Sequence, residues 1–149
     1  MTETRFLYVT YIRAPAAKIF AALTDPEQNK KFWGGYSQQS SWEQGGDYSI
    51  VGTDGRAWDT GKVLSIDPPR HVCVSWTHQI DEALKAEGAS TASFDLEPMG
   101  EGLTKLTLTH SIDRSPSKFI EAVSSGWPMI LASLKSLMET GKALDMPAG

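Results

Sequence analysis

The spacing of apolar side chains changes along this chain, and each change marks a different kind of element. Residues 5 to 13, RFLYVTYIR, are rich in β-branched and aromatic types and predict a strand that ends before Pro15. Ile19, Phe20 and Leu23 then recur at helical steps, with Pro15 suited to a first turn. Asp25-Pro26 closes this helix, because the residue before a proline disfavours helical geometry. A second short helix over about 26 to 33 stops at Trp33-Gly34-Gly35.

From Tyr36 to Ile112 the spacing falls to two. Short alternating runs are separated by turn signals at Gly45-Gly46, Asp54-Gly55, Pro68-Pro69 and Gly100-Glu101-Gly102. The runs SQQSSWE, YSIVG, AWDTGKVLSI, HVCVSWTHQ, STASFDLEP and LTKLTLTHSI bring the expected strands to about seven with the first included. Val74, Trp76 and His78 share one face of their strand, and Leu106, Leu108, His110 and Ile112 share one face of theirs. The alternate positions Ser75, Thr77, Thr107, Thr109 and Ser111 are small and polar. One face is therefore dry and the other wet, the pattern of an antiparallel sheet covered on a single side. DEALKAEG, residues 81 to 88, reads as a charged loop between two strands.

The cover comes last in the chain. Trp127, Ile130, Leu131, Leu134, Leu137 and Met138 follow three- and four-residue steps, which predicts a helix from about 128 to 140 that begins at Pro128 and is closed by Gly141. Residues 115 to 124 are expected to form a separate lead-in helix broken at Gly126. The elements together predict an α+β chain: a curved antiparallel sheet of about seven strands, two short helices after the first strand, and a long C-terminal helix on the dry face. No repeat or linker divides residues 1–149, so one domain is expected, long enough to bury about two-thirds of its unfolded surface.

Charge narrows the function classes. Fourteen Lys and Arg against eighteen Asp and Glu give a net charge of -4, and no basic run exceeds Lys30-Lys31, so no nucleic-acid face is expected. No apolar run approaches a membrane span, and MTETRFLYV lacks the order of a secretory signal, which points to the cytoplasm. Cys73 stands alone in HVCVSW and reads as an inert thiol in a strand. His71, His78, His110 and Cys73 show no close ligand spacing, so no metal is expected, and no cofactor motif occurs. The chain has no GxSxG elbow for a serine nucleophile.

The motifs resemble a known family. Ile12, Ala14, Pro15, Ile19, Phe20, Leu23, Thr24, Asp25, Pro26, Glu27 and Trp33 are similar to the opening of the bacterial homologues of the activator of the ninety-kilodalton heat-shock protein ATPase. Gly45, Gly46, Tyr48, Gly61, Val63, Asp67, Pro68, Pro69, Arg70 and Trp76 continue the likeness. It runs on through Phe94, Leu96, Gly100, Gly102, Leu106, His110, Gly126, Trp127, Leu131 and Leu134 in the family's order. The resemblance implies the helix-grip fold of the START-like, birch-pollen-allergen-like superfamily. It also implies an apolar cavity between sheet and C-terminal helix for a lipid-like, polyketide-like or other small hydrophobic molecule. Superfamily members include cyclases, aromatases and dehydratases as well as carriers.

Candidate site residues are the aromatic and polar side chains placed to face that cavity: Trp33, Tyr48, Trp58, Trp76, Phe94 and Trp127 as rings, Leu131 and Leu134 on the helix, and His78 and His110 as polar groups. Two readings of the histidines stay open: orienting or proton-transfer groups for a ligand, or ordinary strand-end residues. The rings likewise read as cavity wall or as core. Asp47, Asp59 and Asp95 are expected to be solvated at the surface. The leading expectation is therefore binding of a small hydrophobic molecule. A cyclase- or dehydratase-like enzyme using the histidines, and an interaction module acting as chaperone regulator or homodimer, are the alternatives.

Overall fold

The computed structural model describes residues 3–145; the first two and last four residues of the expected 1–149 domain, and the start of the N-terminal segment read for a signal, lie outside the described residues. Seven strands form one antiparallel sheet. They are β1 (Thr4–Ile12), β2 (Ser37–Ser40), β3 (Asp47–Val51), β4 (Ala57–Asp67), β5 (His71–His78), β6 (Ser90–Pro98) and β7 (Thr104–Ile112). Their spatial order is β1-β7-β6-β5-β4-β3-β2, so every neighbour except the β1–β7 pair is also a sequence neighbour. Between β1 and β2 lie α1 (Ala16–Thr24) and α2 (Pro26–Phe32), and α4 (Lys118–Thr140) closes the chain after a one-turn α3 (Glu82–Lys85). This is the α+β helix-grip arrangement that the alternation of the strands and the terminal ladder predict.

The sheet curves because its central strands are irregular. Registers shift between Ile50 and Val51 in the β3–β4 pair and between Val63 and Ser65 in the β4–β5 pair, and such bulges bend a strand. Gly61 makes the bend feasible: a Cβ there would stand 1.8 Å from the backbone oxygen of Ser75 on β5. The concave face carries Tyr48, Ile50, Val63, Val72, Val74, Trp76, Ala92, Phe94, Leu96, Leu106, Leu108 and Ile112, all buried. Onto it α4 lays Phe119, Ile120, Trp127, Leu131, Leu134, Leu137 and Met138.

Three expectations are corrected. The C-terminal element is one 23-residue helix from Lys118, not a lead-in broken at Gly126 followed by a helix starting at Pro128. Pro128 sits inside it, where it removes the amide that the carbonyl of Ser124 would accept from. Intrinsic propensity argues for a break, at about 1 kcal/mol for the glycine and about 3 kcal/mol for the proline, but the apolar face on both sides of the pair is anchored in the sheet. The strand expected over SQQSSWE stops at Ser40, because Trp42 takes a left-handed φ of 58° and sends its Nε1–H back to the carbonyl of Thr24 at 3.0 Å. The charged segment 81 to 88 contains α3, and it ends in a capping residue for α4.

That residue is Glu87. Its side chain, 6% exposed, accepts from Ser117 Oγ at 2.6 Å and from the amide of Lys118 at 2.9 Å. Ser117 Oγ in turn accepts from the amide of Ile120 at 3.0 Å, so Ser117 and Glu87 together satisfy amides at the start of α4. Burial pushes the Glu87 carboxyl up, but the bonds from Ser117, Lys118 and Phe119 outweigh it and hold the group below its ordinary value. A second buried network joins the first helices to the sheet: Asn29 Nδ2 donates to the carbonyl of Ala22 at 2.7 Å, Gln38 Nε2 donates to that of Leu23 at 2.7 Å, and Tyr48 O–H donates to Gln38 Oε1. Replacing Glu87 by Ala is expected to cost about 1–2 kcal/mol, as for other lost helix caps. Urea unfolding followed by circular dichroism measures it, and an unchanged midpoint would show that Ser117 alone caps α4.

Candidate functional site

The long helix and the concave sheet do not close completely. Between them lies a partly open pocket of about 400 Å³, lined by Trp33, Tyr36, Ile50, Asp59, Trp76, Ala122, Val123, Gly126, Trp127 and Ile130. Each element contributes for a local reason. The turn after α2 delivers Trp33 and Tyr36, alternation on β3, β4 and β5 turns Ile50, Asp59 and Trp76 to the same face, and the three- and four-residue step of α4 presents the rest. Gly126 borders this space without filling it: a Cβ built there would meet nothing within 4 Å.

The walls are aromatic. Trp127 is the hub, with ring centroids at 5.3 Å from Trp33, 5.6 Å from Trp76 and 5.7 Å from Phe94. Tilted and edge-on pairs of this kind add attraction beyond area burial and hold the rings rigid. Tyr36 stands at the mouth with its ring edge-on to Trp58 at 5.6 Å.

Two polar groups break the apolar lining. Asp59, expected to be a solvated surface carboxylate, is only 7% exposed, because its strand position faces the concave side. Asp47 and Asp95 instead lie towards solvent, paired with Lys62 and with His71. Asp59 Oδ1 accepts from His78 Nδ1 at 2.9 Å, while Oδ2 accepts no hydrogen bond among the described residues. Burial raises the Asp59 pKa, and His78 and the nearby indole of Trp76 only partly offset this. The Trp76 Nε1–H lies close enough to the carboxyl to favour its ionised form, yet it lacks hydrogen-bond geometry to any acceptor. It is the single orphaned buried side-chain donor or acceptor among the described residues. Burial also raises the Tyr36 hydroxyl pKa, with Asp54 and Asp59 adding to the effect.

His110 lies behind the pocket, fully buried, with both ring nitrogens engaged. Trp127 Nε1–H donates to His110 Nδ1 at 3.1 Å, so Nδ1 is bare and Nε2 carries the proton. Nε2–H then donates to Ser90 Oγ at 2.9 Å, and the Ser90 hydroxyl donates to the carbonyl of Trp76 at 2.8 Å. Desolvation pushes the His110 pKa down to about 3 from its ordinary 6.5, and protonating Nδ1 would set two donors against each other. A histidine so engaged holds the helix to the sheet and has no proton to exchange near neutral pH.

Of the candidates named from sequence, Trp33, Trp76 and Trp127 line the pocket. Tyr48 packs against Trp76 at 6.1 Å from the far side, and Phe94 and His110 back Trp127. Trp58 supports Tyr36 and gives its Nε1–H to Asp54, His78 serves Asp59, and Leu131 and Leu134 are buried further along α4. The residues that sequence reasoning missed are Asp59, Tyr36, Ile50, Ala122, Val123, Gly126 and Ile130. For Asp59 the signal was present, since it lies four residues before the inward Val63 in the same strand, but a carboxylate is ordinarily solvated and residue type outweighed alternation. Among the described residues no cluster of His, Cys, Asp and Glu is placed to hold a metal ion, and no helix is long and apolar enough to cross a membrane.

The sequence profile of the activator of Hsp90 ATPase homolog 1-like proteins matches residues 13–139. The chain belongs to this family. The matched span takes in every lining residue of the pocket. Among solved structures, the Aha1 dimer from Colwellia psychrerythraea is similar over 94% of this chain and 99% of its own, with 26% identity and a TM-score of 0.74. CalU16 from Micromonospora echinospora shares the fold over 89% of this chain and 73% of its own, at 20% identity and a TM-score of 0.72. PFC0360w, an HSP90 activator from Plasmodium falciparum, shares it over 83% and 86%, at 22% identity and a TM-score of 0.66. No match was found among curated proteins.

The His110 relay sets a pH dependence for this family member. The folded histidine stays neutral down to about pH 3 whereas the unfolded one binds a proton near 6.5, so the unfolded state holds more protons between these values. Stability contributed by the neutral histidine is present above pH 6.5 and is lost progressively as pH falls toward 3, by up to about 1.4 kcal/mol per unit. His110→Gln can still accept from Trp127 and donate to Ser90 but does not titrate. Melting temperature followed from pH 7 to pH 4 should fall less steeply in this variant than in the wild type, and parallel curves would refute the neutral assignment.

Proposed function

We propose that this protein binds a small hydrophobic molecule in the pocket between the sheet and α4. One observation carries the reading: about 400 Å³ of space survives beside the best-anchored ring of the core, walled by Trp33, Trp76, Trp127 and Ile130, with Asp59 and an unpaired indole N–H at its edge. Apolar walls with a few placed polar groups are the general make-up of ligand sites, and the volume falls at the lower end of their range. The cytoplasm is the compartment we assign, since Cys73 is a free thiol and a reducing compartment keeps thiols unpaired. The enzyme alternative loses His110 to its structural relay and rests on the His78–Asp59 pair alone.

A second reading concerns assembly. β1 is an edge strand whose outer face exposes Leu7, Val9 and Tyr11 at 55%, 39% and 46%. Exposed apolar side chains in a row on a sheet edge favour pairing with another chain. The similar Colwellia protein is described as a dimer, and we propose that this chain forms a homodimer through β1.

A thermal-shift panel of fatty acids, aromatic polyketide-like compounds and flavonoids tests the first reading. A binder present at about 100 times its Kd adds about 2.7 kcal/mol. The Gly126→Trp variant, which puts a ring into the open space, should fold and lose the shift. Gly126→Ala should keep it and gain about 0.5–1 kcal/mol of helix stability. No shift with any compound, or an undiminished shift in Gly126→Trp, would overturn the reading. For the second, light scattering during size exclusion should give twice the 16.3 kDa chain mass, falling to a monomer in the Leu7→Lys/Val9→Lys double variant; a monomeric wild type overturns it.

A further inference from the structure

The pocket has a charge sign as well as a shape. Its lining contains four aromatic side chains, Trp33, Tyr36, Trp76 and Trp127, and a single acidic one, Asp59; no Lys, Arg or His lines it. The faces of aromatic rings are electron-rich, so rings and carboxylate act in the same direction. An anion entering this space would meet the Asp59 carboxyl and no basic side chain in the lining. A neutral polar group would meet one unused acceptor. A cation would meet that acceptor and the rings, while the Trp76 Nε1–H stays beside the Asp59 carboxyl.

Resting on the ligand-pocket reading above, we propose that the pocket selects a small organic cation, an amine or quaternary ammonium group on an apolar body, over the matching alcohol or carboxylate. Asp59 has capacity left for it. Oδ1 is used by His78 Nδ1 at 2.9 Å, but Oδ2 accepts no hydrogen bond among the described residues, and Trp76 Nε1–H stays short of bonding geometry. The carboxylate is held in place on β4, so it need not reorganise when a cation arrives. Burial raises the pKa of Asp59, a cost of keeping a carboxylate in a dry site that a bound cation cancels. The neighbours assist: His78 orients the carboxylate from the side of β5, and Trp33, Tyr36 and Trp127 surround the space a cation would fill. Fatty acids, on this account, are poor ligands even though the walls are apolar.

Isothermal titration calorimetry at neutral pH with four probes of one shape decides the matter: naphthylmethylamine, its trimethylammonium analogue, naphthylmethanol and naphthoate. The amine and the ammonium are expected to bind about tenfold or more tighter than the alcohol, with naphthoate weakest. Asp59→Asn should shrink the amine-to-alcohol affinity ratio from about tenfold to about one, with the amine losing far more than the alcohol. Should that variant fail to fold, the order of the four probes on the wild type still decides. Alcohol or naphthoate binding as tightly as the amine, or a preference for the amine that survives Asp59→Asn, overturns the cation assignment alone. Silence from all four probes overturns it too, and the pocket reading then stands only if the thermal-shift panel yields a binder that Gly126→Trp abolishes.

Discussion

A neutral imidazole joins the two layers of this protein. The indole N–H of Trp127 needs an acceptor once it is buried, and His110 Nδ1 supplies one only while it carries no proton. The choice of tautomer then propagates: Nε2–H must find Ser90, and Ser90 finds the carbonyl of Trp76, so helix, β7, β6 and β5 are tied in sequence by one chain of donors and acceptors. Around that chain the rings of Trp33, Trp76 and Phe94 are packed against Trp127. The position of the helix over the sheet, and so the shape of any space beneath it, follows from where this indole is fixed.

The same anchoring explains how α4 tolerates its own sequence. Gly126 and Pro128 flank Trp127, and both disfavour a helix interior. They are carried because Phe119 and Ile120 on one side and Leu131 and Leu134 on the other are buried in the same sheet, with Ser117 and Glu87 satisfying amides at the start. Gly126, where the helix has no side chain, borders the pocket. Asp59 on the facing strand lines it too, its carboxyl held by His78.

Much of this was legible in the residues. Alternation in VSWTHQ and KLTLTHSI predicts which side chains face inward, and the ladder from Trp127 to Met138 predicts the helix that covers them, because both are local periodicities that burial imposes directly. Trp33, Trp76 and Trp127 could be named as candidates for the same reason. Asp59 was not read as buried, since a carboxylate is ordinarily solvated even where alternation turns it inward. Nor was the role of Glu87, whose partner is 30 residues away in sequence and whose charged neighbours resemble any solvated loop.

Sequence alone determined the order of elements, the dry face of the sheet and the amphipathic cover, because each is a repeating local pattern that the chain carries whatever it packs against. Tertiary structure decided the continuity of α4 through Gly126 and Pro128, the neutral state of His110 and the burial of Asp59. Those depend on distances between residues far apart in the chain. A glycine that reads as a helix break came to border a pocket, and a carboxyl that reads as surface came to line it, only when sheet and helix were brought within a few ångströms of each other.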